Sequence, residues 1–225
     1  MRKTSQKRQH ILDTARRLFQ SKGFANTSMS DITAEAGGSK ATVYNYFSSK
    51  EELFVECMTA VTDRHLEGVF DDLKDPEAEL SAALLATAKN ALRYLCSPDE
   101  LASKRLLIAE AERSGIGRLF YGRIDCYMEE LAAFLRRAMD EGHLRQADPL
   151  LAARQLRALV EGDIVERCLM GVHRVPPATA TVSRAAQIAV TTFLRAYAPG
   201  DDGETKVVKA APVIAPARKP GTRRR

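Results

Sequence analysis

Tryptophan is absent from this sequence, and aromatic residues make up only 6% of its 225 positions. The four cysteines, at 57, 96, 126 and 168, stand at least 30 residues apart. That spacing excludes a CxxC redox pair and the close ligand pairs of a structural zinc site. It points instead to reduced, mostly buried thiols. No run of 18 apolar residues occurs, so no stretch reads as membrane-spanning. The polar, basic start from Met1 to Gln9 is not followed by an apolar stretch, so it does not read as a secretory leader, and a cytoplasmic protein is expected. HExxH, GxSxG and Gly-rich phosphate loops are missing, and the four histidines (10, 65, 143, 173) lie far apart with no triad or ligand spacing. These gaps argue against an enzyme, and no cofactor or metal is expected. Strict apolar–polar alternation is also missing, so no sheet is expected.

What is present is helical. Alanine, leucine, arginine and glutamate, all strong helix formers, dominate. The net charge of +5 is unevenly spread. Residues 1–52 carry nine Lys/Arg against five Asp/Glu, residues 198–225 carry seven against three, and the body between them carries 18 against 21. A basic end on a slightly acidic body suits a module that meets a phosphate backbone, although a merely soluble basic surface has the same charge.

Ile11, Leu12, Ala15, Leu18 and Phe19 share one face of a helix that Gly23 ends. Ser28 and Asp31 have capping-box spacing and predict a short helix from about Met29 to Ala36. Gly37-Gly38 closes it, and Ser39 can cap a third helix from Lys40 to Phe47. Both Ser48/Glu51 and Ser49/Glu52 have the spacing to cap a fourth, running to about Phe70. Four helices in 70 residues, with a glycine turn between two short ones, is a compact DNA-binding layout. Residues 71–76 read as a linker. Further helices are expected near 77–96, 99–113, 117–141, 149–170 and 178–197, separated by Gly and Pro breakers, with Asp148-Pro149 as N-cap and first helical residue. From Ala198 the Gly/Pro/Lys/Arg-rich composition reads as a disordered tail.

In the third helix, Val43 and Phe47 fall on the face that would pack inward. Ala41, Thr42, Tyr44 and Asn45 point the other way, with no carboxylate among them, and Lys40 and Lys50 flank them. A helix that enters the major groove needs such a narrow, hydrogen-bonding, uncharged or positive face. Amide groups at the starts of the second and fourth helices are candidate phosphate binders.

The stretch Ile11 to Phe54 resembles the N-terminal domain of the tetracycline-repressor (TetR) family. The likeness rests on Ile11-Leu12-x-x-Ala15-x-x-Leu18-Phe19, on Gly23-Phe24-x-x-Thr27-Ser28, on Ile32, on Ala36-Gly37-x-Ser39-Lys40-Ala41-Thr42-Val43-Tyr44-Asn45-Tyr46-Phe47 and on Ser49-Lys50-Glu51-Glu52-Leu53. Two positions depart from the family pattern. Thr33 brings a hydroxyl to the helix crossing, and Gly38 loosens the turn before the third helix. The resemblance implies an all-α protein with an N-terminal helix-turn-helix domain and a C-terminal helical ligand-binding and dimerisation bundle. It implies phosphate contacts for Thr27, Ser28 and Lys50, and groove contacts for Lys40, Thr42, Tyr44, Asn45 and Tyr46, with Ser39 and Ala41 on the same DNA-facing set. Tyr44 and Tyr46 also admit a plain packing role.

The segment from Leu119 through Met170 resembles one subtype of the family's sensor domain. The expected division is then 1–48 for DNA binding, 49–70 as connecting helix, 71–197 for ligand binding and dimerisation, and 198–225 as basic tail. Helices near 149–170 and 178–197 are apolar over most of their circumference, so they would bury one side inward and one against a second copy. Tyr94, Phe120, Tyr121, Tyr127 and Phe134 are candidates to line an apolar pocket, though aromatics at helical spacing also serve as core. Arg105, Arg113 and Arg123 are candidates to meet an anionic ligand or to lie on a solvated face. The expected partners are a palindromic double-stranded operator, a small-molecule effector and a second copy of the chain. The expected mechanism is a repressor released when an effector shifts the spacing of the recognition helices, with the fourth helix as lever. A non-specific architectural DNA binder and an activator of the same fold are the competing readings.

Overall fold

The computed structural model describes residues 2–69, 73, 79–173 and 175–199. Every regular element among them is a helix: α1 (Arg2–Lys22), α2 (Met29–Ala36), α3 (Lys40–Tyr44), α4 (Lys50–Val69), α5 (Leu80–Leu95), α6 (Pro98–Glu110), α7 (Ile116–Asp140), α8 (Pro149–Glu161), α9 (Val165–Leu169) and α10 (Thr179–Ala196). Apart from Leu73, the expected linker at 71–76 lies outside the described residues, as does the expected tail beyond Pro199.

Local chemistry sets most boundaries. Gly23 ends α1 at φ +80°, its amide bonding back to Phe19 O at 2.9 Å. Ser28 and Asp31 close a reciprocal capping box on α2. Of the two spacings available before α4, Ser49/Glu52 supplies the cap: Ser49 Oγ accepts from Glu52 N at 3.0 Å. Glu52 then reaches one residue further back, to the Ser48 amide at 2.7 Å. Those Ser48 hydrogen bonds hold the Glu52 carboxyl below its ordinary pKa.

Three helices differ from their sequence expectation. The third ends at Tyr44 rather than Phe47, because the chain tightens there: Tyr46 N bonds Val43 O, three residues back. This turn keeps Phe47 in the core. The sixth stops at Glu110, and Gly117 N returns to Ala111 O at 2.9 Å. A side chain at 117 would meet that carbonyl at 2.8 Å, so the close approach requires glycine. The expected helix 149–170 divides into α8 and α9. Arg105 of α6 donates to the Cys168 and Leu169 carbonyls, both at 2.8 Å, and so holds the last turn of α9 on α6. A continuous helix would carry that turn away from α6.

Two cores result. The first gathers Ile11, Phe19, Ile32, Val43, Phe47 and Phe54, and it also takes in Leu107 of α6 and Ile116 of α7. Phe54 meets Phe19 edge-on at 5.1 Å and Phe24 at 4.8 Å. Such pairs add about 0.5–1.5 kcal/mol each beyond area burial. The second core joins α5, α7, α8 and α10 around Leu92, Leu135, Ala152, Ala186 and Phe193. The first turns of α4, from Leu53 to Met58, belong to the first core, and α4 also packs on α5, α6 and α7. Helix α4 is therefore no free spacer. No described helix is long and apolar enough to cross a membrane.

Candidate DNA-binding face and effector cavity

Helix α3 stands on Ser39, whose Oγ accepts from Thr42 N at 3.1 Å and pairs with Thr42 Oγ1 at 2.9 Å. The preceding turn runs through Gly37 at φ +64° and Gly38 at φ +140°. The second value is one that residues with a Cβ rarely adopt, so Gly38 makes this particular turn possible rather than loosening it. From α1, the Lys7 ammonium donates to the Ala36 and Gly37 carbonyls and fixes the turn from outside. Thr33 Oγ1 donates to Met29 O at 2.7 Å, so its hydroxyl is met within its own helix.

Val43 and Phe47 are buried, while Lys40, Ala41, Tyr44 and Asn45 are exposed, with Tyr44 47% accessible. Thr42 and Tyr46 are half-buried, and Tyr46 leans on the first core beside Phe47. The exposed set carries hydrogen-bonding groups and one positive charge, and no carboxylate.

Several residues expected to meet phosphate are engaged inward. The Thr27 side chain is buried, its hydroxyl donating to Gly23 O at 2.8 Å. Lys50 Nζ donates to Phe24 O and Thr27 O, both at 3.0 Å, and sits 4.1 Å from the centre of the Phe24 ring. It clamps the α1–α2 loop to α4 instead of pointing outward. The Ser28 amide and hydroxyl both donate to Asp31, and the Ser48 pair does the same to Glu52. The starts of α2 and α4 thus each carry a carboxylate of their own beside the first helix amides.

Between α5, α6, α7 and α8 lies a cavity of about 130 Å³. Tyr94, Phe120 and Tyr127 line it, as expected. Tyr121 and Phe134 do not: Tyr121 is 63% exposed on the outer face of α7, and Phe134 packs against the second core. Of the three candidate arginines, Arg123 reaches the cavity. Arg105 caps α9, and Arg113 pairs with Glu110 on the surface. The cavity's polar groups escaped the sequence reading. Lys104 of α6 and Arg157 of α8 both bind Glu161, at 3.2 and 2.5 Å. Burial pushes the Glu161 carboxyl up, but the two cations together outweigh it and hold the group below its ordinary value. Buried Glu100 receives the Tyr94 hydroxyl. The only available signal was i, i+4 spacing, which usually marks a solvated helix face.

Arg123 joins the cavity to the DNA-binding end. It donates to Glu56 Oε1 of α4 at 2.8 Å, and the other Glu56 oxygen pairs with Arg8 of α1. The Arg8 guanidinium in turn lies 5.2 Å from the centre of the Phe47 ring, just after α3.

An exposed helix-turn-helix seated on a cavity-bearing helical bundle defines a DNA-binding transcription regulator. Residues 11–57 match the profile of bacterial regulatory proteins of the tetR family, and residues 82–199 match that of the AefR-like transcriptional repressor C-terminal domain. The chain belongs to the tetR family. It is 30% identical to a helix-turn-helix transcriptional regulator of Mycobacterium tuberculosis over 162 residues, 71% of this chain and 73% of that protein. Among solved structures it resembles the flavonoid-responsive regulator FrrA (TM-score 0.71, 31% identity, 87% of this chain and 98% of that one). It also resembles SmeT in its complex with triclosan (TM-score 0.63, 25% identity, 88% and 97%).

Proposed function

We propose that this chain is a cytoplasmic repressor that binds a palindromic operator as a homodimer and leaves it when a small molecule fills the cavity between α5 and α8. The proposed division is 1–48 for DNA binding, 49–70 as connecting helix, 71–197 for sensing and dimerisation, and a basic tail from 198. The contact set for DNA is the exposed face of α3 (Lys40, Ala41, Tyr44, Asn45), with Thr42, Tyr46, Ser39 and Ser28 at its edges. Thr27 and Lys50 act indirectly, by fixing the loop that carries α2.

The observation that carries this reading is the chain of contacts from cavity to groove face. Arg123 lines the cavity and holds Glu56, and Glu56 holds Arg8 over Phe47. An effector that binds better when α7 has shifted from α4 favours a conformation in which α3 is set for the wrong half-site spacing. The flavonoid response of FrrA and the triclosan complex of SmeT support a small-molecule effector here. Exposed Leu151 and Leu159 on α8 and Ile188 on α10, two helices that pack on each other, support a four-helix interface between copies. A two-fold dimer calls for half-sites about 34 Å apart or a multiple of that.

The test is enrichment of fragments from sheared genomic DNA of the source organism at fixed, roughly physiological salt, with a Lys40→Ala, Tyr44→Ala variant in parallel. Recovery of a shared palindrome by the wild type and its loss in the variant are expected. Enrichment with no shared site would replace this reading with that of an architectural DNA binder.

A further inference from the structure

One polar atom of the cavity wall, the Thr87 hydroxyl, is buried without a hydrogen-bond partner, unlike the hydroxyl of Thr59 on the same wall. Thr33 and Thr59 sit inside helices, and each hydroxyl donates to the carbonyl four residues back, at 2.7 and 2.8 Å. Thr87, inside α5, has the same option but does not take it. It is 92% buried, it lines the cavity, and its Oγ1 has no hydrogen-bond partner. A buried hydroxyl without a partner is costly. A ligand group that met it would remove that cost only in the bound state.

The remaining chemistry of the wall narrows the ligand. Its cations are already engaged, Lys104 and Arg157 sharing Glu161 and Arg123 sharing Glu56 with Arg8. An ionised ligand would have to break one of these pairs. Most of the surface is apolar, with the Phe120, Tyr94 and Tyr127 rings among aliphatic side chains. The volume, about 130 Å³, is close to the roughly 150 Å³ of an engineered apolar cavity that takes benzene.

We infer that the cavity takes a neutral, single-ring aromatic compound bearing one hydroxyl or carbonyl group, and that this group closes a hydrogen bond with Thr87 Oγ1. The inference rests on the effector-site reading above and adds the ligand's chemical class and the residue that selects it. Aromatic walls favour a flat ring, the cost of burying a charge in a mostly apolar cavity whose cations are already engaged disfavours a carboxylate, and the open hydroxyl ranks polar ligands above their methyl isosteres.

The experiment is direct calorimetric titration of the full-length protein, without DNA, using phenol, its isostere toluene, and benzoate as probes. Toluene is the more hydrophobic of the first pair, so the comparison is read as a double-mutant cycle with Thr87→Val, which keeps the shape and removes the hydroxyl. Thr87→Val is expected to weaken phenol about 10-fold and to leave toluene unchanged or tighter, the size of one well-formed hydrogen bond. Thr87→Ser, which keeps the hydroxyl, is expected to retain phenol binding. Thr87→Val is also expected to melt no lower than the wild type, which separates lost recognition from lost folding. Equal changes for phenol and toluene would overturn the role of Thr87. Benzoate binding tighter than phenol at pH 7, or no binding of either neutral ring up to roughly 10 mM, would overturn the ligand class. Binding by phenol that leaves operator affinity unchanged would instead sink the effector reading and leave the ligand class standing.

Discussion

Glu56 of α4 is shared by two arginines from helices of different domains: Arg123 of α7 donates to Oε1 at 2.8 Å, and Arg8 of α1 pairs with Oε2. The carboxylate is 16% exposed and the arginines about 40%. Partly screened pairs of this kind contribute about 1 kcal/mol or less each to stability. Their larger effect is on geometry, since they tie the cavity wall and the α3 end to one point on α4. Glu56→Gln keeps the shape and removes the charge. The expected outcome is a folded protein that still binds its operator, with effector and DNA uncoupled. Coupling in such proteins is typically 5- to 150-fold in affinity. In the variant, the ratio of operator affinities with and without effector should fall toward one, as read by fluorescence anisotropy. A ratio equal to that of the wild type would remove Glu56 from the signalling route.

Lys50 separates a structural from a DNA-contact role. Lys50→Met keeps most of the apolar stem but leaves the Phe24 and Thr27 carbonyls without their donor and the Phe24 ring without its cation. Urea unfolding should show a loss of about 1–3 kcal/mol. The salt dependence of operator binding should keep its slope, whereas loss of a true phosphate contact would lower that slope by about 1.

Acid should weaken the cavity wall at Glu161. Glu161 has its folded pKa held below its ordinary value of 4.5 by Lys104 and Arg157, against the opposing effect of burial. A carboxyl depressed in the folded state stabilises it fully above the unfolded value and loses that contribution as pH falls through the folded one. From pH 7 to about 5, thermal stability should therefore be insensitive to this group. Below 4.5 it should decline, and Glu161→Gln should flatten that part of the profile. An identical acid limb in wild type and variant would show that other groups govern it.

Exposed apolar side chains on α8 and α10 test the dimer. Ile188 is 53% and Leu151 47% accessible in the single chain. On a free surface, replacing them with glutamate changes stability by no more than about 0.5 kcal/mol. In a dimer interface the same changes bury charge against an apolar partner. Light scattering should find the wild type dimeric and Leu151→Glu, Ile188→Glu monomeric, with operator binding lost alongside. Equal masses for both would move the interface elsewhere.

The sequence by itself determined what depends on neighbours within one or two helical turns. The all-helical class, the capping of α2 by Ser28 and Asp31, the stop at Gly23, the Asp148-Pro149 start of α8 and the inward turn of Val43 and Phe47 all follow from local spacing, because capping, φ preference and the 3.6-residue period act at that range. The exposed face of α3 was legible for the same reason. Only the tertiary structure decided which way long, flexible or charged side chains point. Lys50 and Thr27 turn inward because carbonyls of the neighbouring loop and helix await them. Tyr121 leaves the cavity that Phe120 joins, one residue of rotation being enough to carry it to the other side of α7. Lys104, Arg157 and Glu161 have the spacing of a solvated surface, yet two helices, α6 and α8, bring them together at a cavity wall. The partner that makes burial of a charge tolerable lies tens of residues away, and no local pattern records that distance.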